Sequence, residues 1–242
     1  RVYDADDRLR DVDGEAVVLR PGDDRVISWR LPDLDGQPIG EIGLALSADG
    51  RRADGRVLLD YLRWDGAPEL SLHRPAAESD FWRRAWVIGV SFFSKRFPPS
   101  FRISQDRGEG IVIHGTRQWT DYEVATELVI HLGAYGGLAV RVQGLRRYYG
   151  LRLTRAGQLQ IVRVRDDEVR VLAELPHELV FERRLACRMS VEGARIRAEI
   201  DGVALAATDD TPEALRDGGI GLLICEGALS TDEIRVHAVT LR

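Results

Sequence analysis

Apolar and polar residues alternate through most of the second half of the chain. In Tyr122–Leu132 every second residue from Tyr122 belongs to the set Tyr, Val, Thr, Leu and Ile, while Glu123, Glu127 and His131 fall between them. Charged and apolar residues alternate in the same way through Arg195–Asp201. A period of two residues indicates antiparallel strands with one face on a core and the other in water.

Short strand-like runs recur along the whole sequence, separated in many places by Asp-Gly pairs. Asp-Gly suits a turn because glycine accepts a positive φ and aspartate tolerates it. Many short strands between turns predict an all-β chain, folded as an antiparallel β-sandwich or jelly roll. The predicted strands are Arg25–Leu31, Glu41–Ser47, Arg56–Trp64, Tyr122–Leu132, Leu138–Gln143, Tyr148–Thr154, Leu159–Arg165, Val169–Leu175, Arg188–Glu192, Arg195–Ile200, Gly219–Cys225 and Glu233–Leu241. The predicted core is Val124, Leu128, Val140, Val142, Leu151, Leu153, Ile161, Met189, Val191, Ile196, Ile200 and Leu222.

Helical patterning is scarce, and one polar stretch marks a boundary. Asp80–Phe93 fits a short amphipathic helix, but its Val87–Val90 portion fits a strand almost as well. Arg74–Asp80 is polar and contains a proline. We therefore divide the chain into a smaller lobe, residues 1–78, and a larger sandwich, residues 79–242.

Composition and charge exclude several classes of protein. The chain has 242 residues, with 44% hydrophobic and 30% charged, which is typical of a globular protein rather than a disordered one. The net charge of −5 gives no bulk attraction to nucleic acid or anionic lipid. No apolar run approaches the ~20 residues that cross a bilayer. We therefore expect no nucleic-acid or membrane partner.

The two cysteines and the start of the chain bear on cellular context. Cys187 and Cys225 lie in apolar, strand-like runs, and the simplest interpretation is two buried, reduced thiols. No signal peptide is visible after Arg1, and the start is typical of a cut inside a longer polypeptide. A cytoplasmic location is the expectation.

Familiar catalytic motifs are missing from the sequence. It contains no phosphate-binding glycine loop and no Gly-x-Ser-x-Gly elbow. Glu199-Ile200-Asp201 matches the first half of the carboxylate motif of sandwich-fold glycosidases, but the second glutamate is absent. An exposed, charged strand edge leading into an Asp-Gly turn is the favoured explanation of these residues.

One weak metal candidate remains. Asp60 interrupts the apolar run Val57–Leu62, and its carboxylate is the type of ligand that calcium prefers. The alternative is an outward-facing aspartate between inward-facing Leu59 and Tyr61. No two of the five histidines stand at a metal-binding spacing. A structural calcium is thus the one cofactor that the sequence suggests.

A cluster of arginine and tyrosine residues gives the main binding hypothesis. Two neighbouring predicted strands meet at Gly144, and their polar faces carry planar donors next to an aromatic ring. Such a combination suits sugar rings, phosphate or ribose. The alternative is a hairpin whose arginines extend into solvent and whose Tyr149 belongs to the core. The predicted ligand-binding residues are Arg141, Gln143, Arg146, Tyr148 and Arg152.

Several segments resemble a known family. From about Phe81 to the end, the chain is similar to the C-terminal region of some bacterial ADP-ribosylglycohydrolase-family proteins, a concanavalin A-like, or laminin-G-like, sandwich. The segment Glu41–Trp64 is similar to strands of galactose-binding-like jelly rolls. The first resemblance is carried by Phe81–Val87, Gly110–Tyr122, Val140–Tyr149, Ile200-Asp201-Gly202 and Cys225-Glu226-Gly227.

The resemblance implies that this chain is an accessory part of a hydrolase. In that family the activity belongs to a separate all-helical domain with two magnesium ions held by aspartates, and nothing in this sequence matches it. No catalytic residue transfers, and the missing N-terminal domain becomes an expected partner.

Three interpretations of function follow. The first is a non-catalytic module that recognises a glycan or an ADP-ribose conjugate. The second is a sandwich-fold glycoside hydrolase with an unrecognised carboxylate pair. The third is a structural module that packs on the missing catalytic domain or mediates self-association.

Overall fold

The chain is almost entirely β-structure in the computed structural model, which describes residues 1–4, 6–34, 36–47, 56–75 and 80–239. Strands make up 52% of the protein and helix 2%, far below the roughly one third of residues that are helical in an average soluble protein. The predicted all-β fold class is confirmed. Within the described ranges, no helix has the length and apolarity needed to cross a membrane.

Sixteen strands follow one another along the described residues. The first five are short: β1 (Val2–Tyr3), β2 (Leu9–Arg10), β3 (Glu69–His73), β4 (Val87–Gly89) and β5 (Phe92–Ser94). The others are β6 (Phe101–His114), β7 (Tyr122–Leu132), β8 (Tyr135–Gly144), β9 (Arg147–Thr154), β10 (Gln158–Arg165), β11 (Glu168–Pro176), β12 (Arg184–Glu192), β13 (Arg195–Ile200), β14 (Val203–Thr208), β15 (Gly219–Thr231) and β16 (Glu233–Ala238).

Fourteen of these strands form a continuous antiparallel sheet that folds into two layers. The first layer runs β11-β10-β9-β8-β15-β6-β4, and the second contains β7, β12, β13 and β14 with β16 and β3. The remaining strand, β5, pairs with the beginning of β6. The long strands β6 and β15 belong to both layers, because their pairing shifts register between Cys225 and Gly227. Past this bulge the last part of β15 pairs with β7.

The interior between the layers is largely apolar and contains eleven of the twelve predicted core residues. All twelve residues that the alternation assigned to the core are buried, none more than 4% exposed. Val142 differs from the others in position, because it packs in a second cluster of buried residues rather than in the main one. That second cluster is Ile111, Ile113, Ala139, Val142, Tyr148, Val162, Val164 and Leu223.

The first part of the chain differs from its prediction. Arg25–Leu31 and Glu41–Ser47 are described as coil, as is Arg56–Trp64, and their large apolar side chains are exposed. A strand needs a neighbour to bond its backbone, and among the described residues these runs pair with none. β3 instead pairs with β16, and its Leu72 lies in the main core.

The predicted boundary between the lobes falls on residues 76–79, outside the described residues. The predicted galactose-binding-like lobe has little internal pairing among its described residues. Only β1 and β2, and the bridge between Val2 and Ile39, pair within that part of the chain.

The ambiguous segment after this boundary contains both kinds of structure. A 3₁₀ helix spans Phe81–Ala85, and β4 and β5 follow it. Aromatic packing explains the short helix: the Trp82 ring lies edge-on to Phe93 at 4.9 Å between centroids and to Phe101 at 5.6 Å. Burial of these rings fixes the helix against β6 and anchors the start of the sandwich.

Candidate functional site

A β-bulge in β8 decides where the predicted binding residues point. Gly219 pairs with Val142 and Gly221 with Ala139, so β8 contains one residue more than β15 over this stretch. Arg141 takes a φ of +48° at the bulge. An extra residue reverses the alternation of faces beyond it. Arg141 therefore points toward the interior, and Val142 toward the outer face of the first layer.

Arg141 is an internal structural residue rather than a surface donor. It is 2% exposed, and Nη1 donates to the carbonyls of Gly193 and Leu215 at 2.8 and 2.9 Å. Nε donates to the carbonyl of Thr120 at 3.0 Å, and Nη2 to Asp121 Oδ1 at 3.1 Å. The guanidinium thus joins three loops at one end of the sandwich, and this use leaves it no free face for a ligand.

Gln143 and Arg146 are also apart from the remaining predicted residues. Gln143 Nε2 donates to the carbonyl and to Oδ1 of Asp217, both at 3.1 Å. Arg146 lies at the exposed hairpin turn, where it is paired with Asp167. The structure therefore does not bring the five predicted residues to one face. The bulge turns the side chains of Arg141 and Gln143 away from the face on which Tyr148 and Arg152 lie.

Tyr148 and Arg152 do come together, on the outer face of the first layer. Arg152 Nη2 donates to Glu109 Oε2 at 2.6 Å, and Tyr148 donates its hydroxyl to Oε1 of the same carboxylate. Tyr135 donates to Glu109 Oε2 at 2.8 Å. The Arg152 guanidinium carbon lies 4.6 Å from the centroid of the Tyr135 ring. We call these four residues the Arg152 cluster.

Burial governs the electrostatics of this cluster. Burial raises the pKa of Tyr148, and the Glu109 carboxylate raises it further. Burial is the largest single influence on Arg152 and acts to lower its pKa, but Glu109, Tyr135 and Tyr148 together outweigh it and the pKa is raised. Arg152 Nε is buried without a hydrogen-bond partner among the described residues. The Arg152 cluster therefore contains a fixed ion pair between Arg152 and Glu109, and one buried N–H donor, at Arg152 Nε, is left unused.

The Tyr148 ring cannot serve as a stacking platform. Tyr148 is fully buried, and its Cε2 packs over Gly150 beside Leu223 and Val162. Leu145, from the turn between β8 and β9, reaches Gly89 on β4, at the far edge of the layer. The first layer is thus curled, and apolar side chains fill this half of its outer face.

The other half of the outer face is polar and more open. Arg152 pairs in register with Gln160 on β10, and Gln160 pairs with Glu174 on β11. Gln160 Nε2 donates to Glu174 Oε2 at 3.1 Å. Glu174 is exposed, whereas Gln160 and Tyr135 are half-buried. A line of polar side chains therefore crosses three rigid strands, and we call Arg152, Gln160 and Glu174 the polar row.

Two residues of this face were missed by the sequence reasoning. Glu109 lies on β6 and Tyr135 on β8, and both meet Arg152 only after the sheet has formed. The available signal was Glu109 itself, a carboxylate just before the apolar run Ile111–Ile113. Its partner is 43 positions away in the chain, a distance at which periodicity carries no information.

The proposed metal ligand lies elsewhere. Asp60 is exposed and lies in coil between Leu59 and Tyr61, which are themselves 65% and 49% exposed. It is therefore neither in a strand nor flanked by buried side chains. Across the described ranges no group of three or more His, Cys, Asp or Glu residues is placed to hold a metal ion.

Searches among known proteins give matches in structure alone. No protein-family model matches the chain, and no curated protein matches it. Neither search bears on the resemblance to ADP-ribosylglycohydrolase-family proteins, which stays a prediction.

Solved structures do share the fold. The carbohydrate-binding module CBM66 from Bacillus subtilis matches with a TM-score of 0.55 and 14% identity, over 64% of this chain and 96% of that one. A Bacillus subtilis protein of unknown function with a galectin-like fold matches at 0.53 and 15%, over 74% and 99%. The VIP36 exoplasmic/lumenal domain, in its Ca2+/Man3GlcNAc-bound form, matches at 0.50 and 12%, over 71% and 89%. At these identities the likeness shows the fold alone, an antiparallel β-sandwich.

Proposed function

We propose that the chain is a non-catalytic carbohydrate-recognition module and that its site is the open, polar half of the outer face. The observation that carries the proposal is the polar row, which crosses β9, β10 and β11 in register beside Tyr135 and Glu109. Hydroxyl-rich ligands need donors and acceptors held at fixed positions, and side chains on packed strands meet that need.

Each member of the site has a distinct role in this proposal. Gln160 and Glu174 offer a donor and an acceptor at the surface, where sugar hydroxyls reach them. The Tyr135 ring, half-buried under the Arg152 guanidinium, supplies apolar area for a sugar face. Arg152 holds that ring and the Glu109 carboxylate in position. Two structural neighbours, a carbohydrate-binding module and a lumenal domain in its Ca2+/Man3GlcNAc-bound form, support this ligand class.

The test is a glycan array followed by calorimetric titration of the full chain. Gln160→Ala and Glu174→Ala should each weaken the best neutral glycan by about 3- to 10-fold, the worth of roughly one hydrogen bond. Arg197→Ala, on the exposed side of β13, is the control and should leave affinity unchanged. If Gln160→Ala and Glu174→Ala bind the glycan as tightly as wild type and the Arg197→Ala control do, the site lies elsewhere.

ADP-ribose and substrate turnover are the competing outcomes of the same experiment. The sequence resemblance makes ADP-ribose a second ligand to titrate. Binding of ADP-ribose, but of no glycan, would replace the carbohydrate assignment. Glycan cleavage abolished by changing one carboxylate would identify an enzyme, and no binding at millimolar ligand would favour a structural module.

A further inference from the structure

We propose a second ligand site on the opposite layer, a groove that binds an acidic sugar through its carboxylate. The groove encloses about 550 Å³, within the range of small-ligand pockets, and is formed by β6, β7, β12 and β15 together with the turn around Phe97. We call it the Phe97 groove. It belongs to a different surface from the polar row, so it does not rest on the carbohydrate site proposed above.

One line of side chains forms the floor of the groove. Arg102 pairs in register with Ser230, Ser230 with Val129, and Val129 with Arg184. Adjacent strands are ~4.8 Å apart, so the backbone positions of the two arginines are roughly 14 Å from each other, with Ser230 and Val129 between them. That span accommodates about two sugar rings.

The two ends of this line differ in charge compensation. Arg184 is paired with Glu127 at 3.3 Å and with Asp232 at 3.1 Å, so its charge is balanced. Arg102 has no ion pair among the described residues, and its guanidinium carbon lies 4.3 Å from the centroid of the Phe97 ring. Arg96, which also lines the groove, has no ion pair in the described chain either. The unmatched positive charge is therefore concentrated at the Phe97 end.

The middle of the groove is built for hydroxyl groups. His131 Nε2 lies 2.9 Å from Ser230 Oγ, and His131 Nδ1 lies 2.8 Å from Glu182 Oε2. This arrangement fixes the imidazole and leaves the second carboxylate oxygen of Glu182 to accept from a ligand. A free inorganic anion would use only the Phe97 end, whereas a sugar with a carboxylate on one ring uses both parts.

The chemistry of the charged end favours a carboxylate. A guanidinium forms two parallel hydrogen bonds with a planar carboxylate, and here the Phe97 ring supports the guanidinium from one side. Phe97 is 47% exposed and supplies apolar area next to that donor. The ligand class is thus a short oligosaccharide that joins a uronic acid to a neutral sugar.

The test compares a uronic acid-containing disaccharide with its carboxyl-reduced counterpart by titration calorimetry. Wild type should bind the acidic form at least tenfold more tightly, and 0.5 M NaCl should weaken that binding by screening the charge. Arg102→Gln should abolish the preference, and Phe97→Ala should weaken both forms. Both positions are at the surface, so thermal melts should stay close to wild type.

Two matched variants separate this site from others. Arg197→Gln removes an exposed arginine on the same layer and should change nothing. Gln160→Ala reports on the polar row and should leave binding of the acidic disaccharide intact, whatever the fate of the first proposal. Equal binding to wild type and Arg102→Gln overturns the inference. The inference is also overturned if inorganic sulfate binds the groove as tightly as the acidic disaccharide does, since the groove would then recognise anions only.

Discussion

Arg152 and Glu109 form an ion pair at 2.6 Å although they lie on β9 and β6, with β8 and β15 between them. The contact requires a clear path across the intervening strands. Gly137, the register partner of Arg152 on β8, has no side chain to block it. A curled layer also shortens the path. The ion pair therefore depends on the curvature of the sheet and, in turn, holds that curvature.

Glu109→Gln should destabilise the protein by about 2 kcal/mol, because it leaves the charge of buried Arg152 without a counterion. Urea unfolding monitored by tryptophan fluorescence measures the loss. Glu174→Gln is the control, since it changes an exposed carboxylate on the same face. Equal midpoints for the two variants would mean that Arg152 finds compensation elsewhere.

A second ion pair is more deeply buried and should matter more. Arg163 Nη1 donates to Asp209 Oδ2 at 2.9 Å, and the two residues are 4% and 2% exposed. Tyr149 also donates its hydroxyl to Asp209, at 2.7 Å. Asp209→Ala should cost about 3–5 kcal/mol, because it strands a buried arginine.

The control for this second pair is at the surface. Arg147 and Asp166 form a two-bond ion pair between exposed side chains, and Asp166→Asn, which tolerates the positive φ of +56° at this turn, should leave the unfolding midpoint nearly unchanged. The double variant Arg163→Met/Asp209→Leu should recover most of the lost stability. A small effect of Asp209→Ala would contradict the conclusion that the Arg163–Asp209 ion pair contributes strongly to stability.

The sequence predicted strands and buried faces correctly in the part of the chain where each strand pairs with a neighbouring strand. The period of two identified the core because burial of one face imposes it on every strand. The strand predicted at Arg25–Leu31 from its strand-forming residues was wrong, since the composition of a run gives its strand propensity but not whether a neighbouring strand exists. The bulge at Arg141 was hidden because a positive φ at an arginine leaves no signature in composition.

That bulge leads to a prediction about the original binding hypothesis. Arg141→Met should lower the free energy of unfolding by at least about 2 kcal/mol, because the buried carbonyl of Leu215 loses its donor, as do the carbonyls of Gly193 and Thr120. Glycan affinity of the folded variant should equal that of wild type. Arg146→Met, at the exposed turn, should alter neither quantity. Lost affinity with unchanged stability would restore Arg141 as a ligand contact.

His114 should make the stability of the sandwich sensitive to pH. Its ring is half-buried beside Trp86, at 5.0 Å between centroids, and Nδ1 lies 3.0 Å from the carbonyl oxygen of Ala85. A carbonyl only accepts, so Nδ1 carries the proton. Burial lowers the pKa of His114 below its ordinary value of 6.5.

The folded state therefore binds a proton at His114 less readily than the unfolded state does. The stability that neutral His114 confers is complete above about pH 6.5 and is lost as the pH falls below that value toward the folded pKa. His114→Asn keeps an amide donor for Ala85 but cannot titrate. Its unfolding free energy should fall less between pH 7.5 and pH 5.5 than that of wild type. His73→Asn, an exposed position, should keep the wild-type slope. Parallel curves for wild type and His114→Asn would show that another group sets the acid limit.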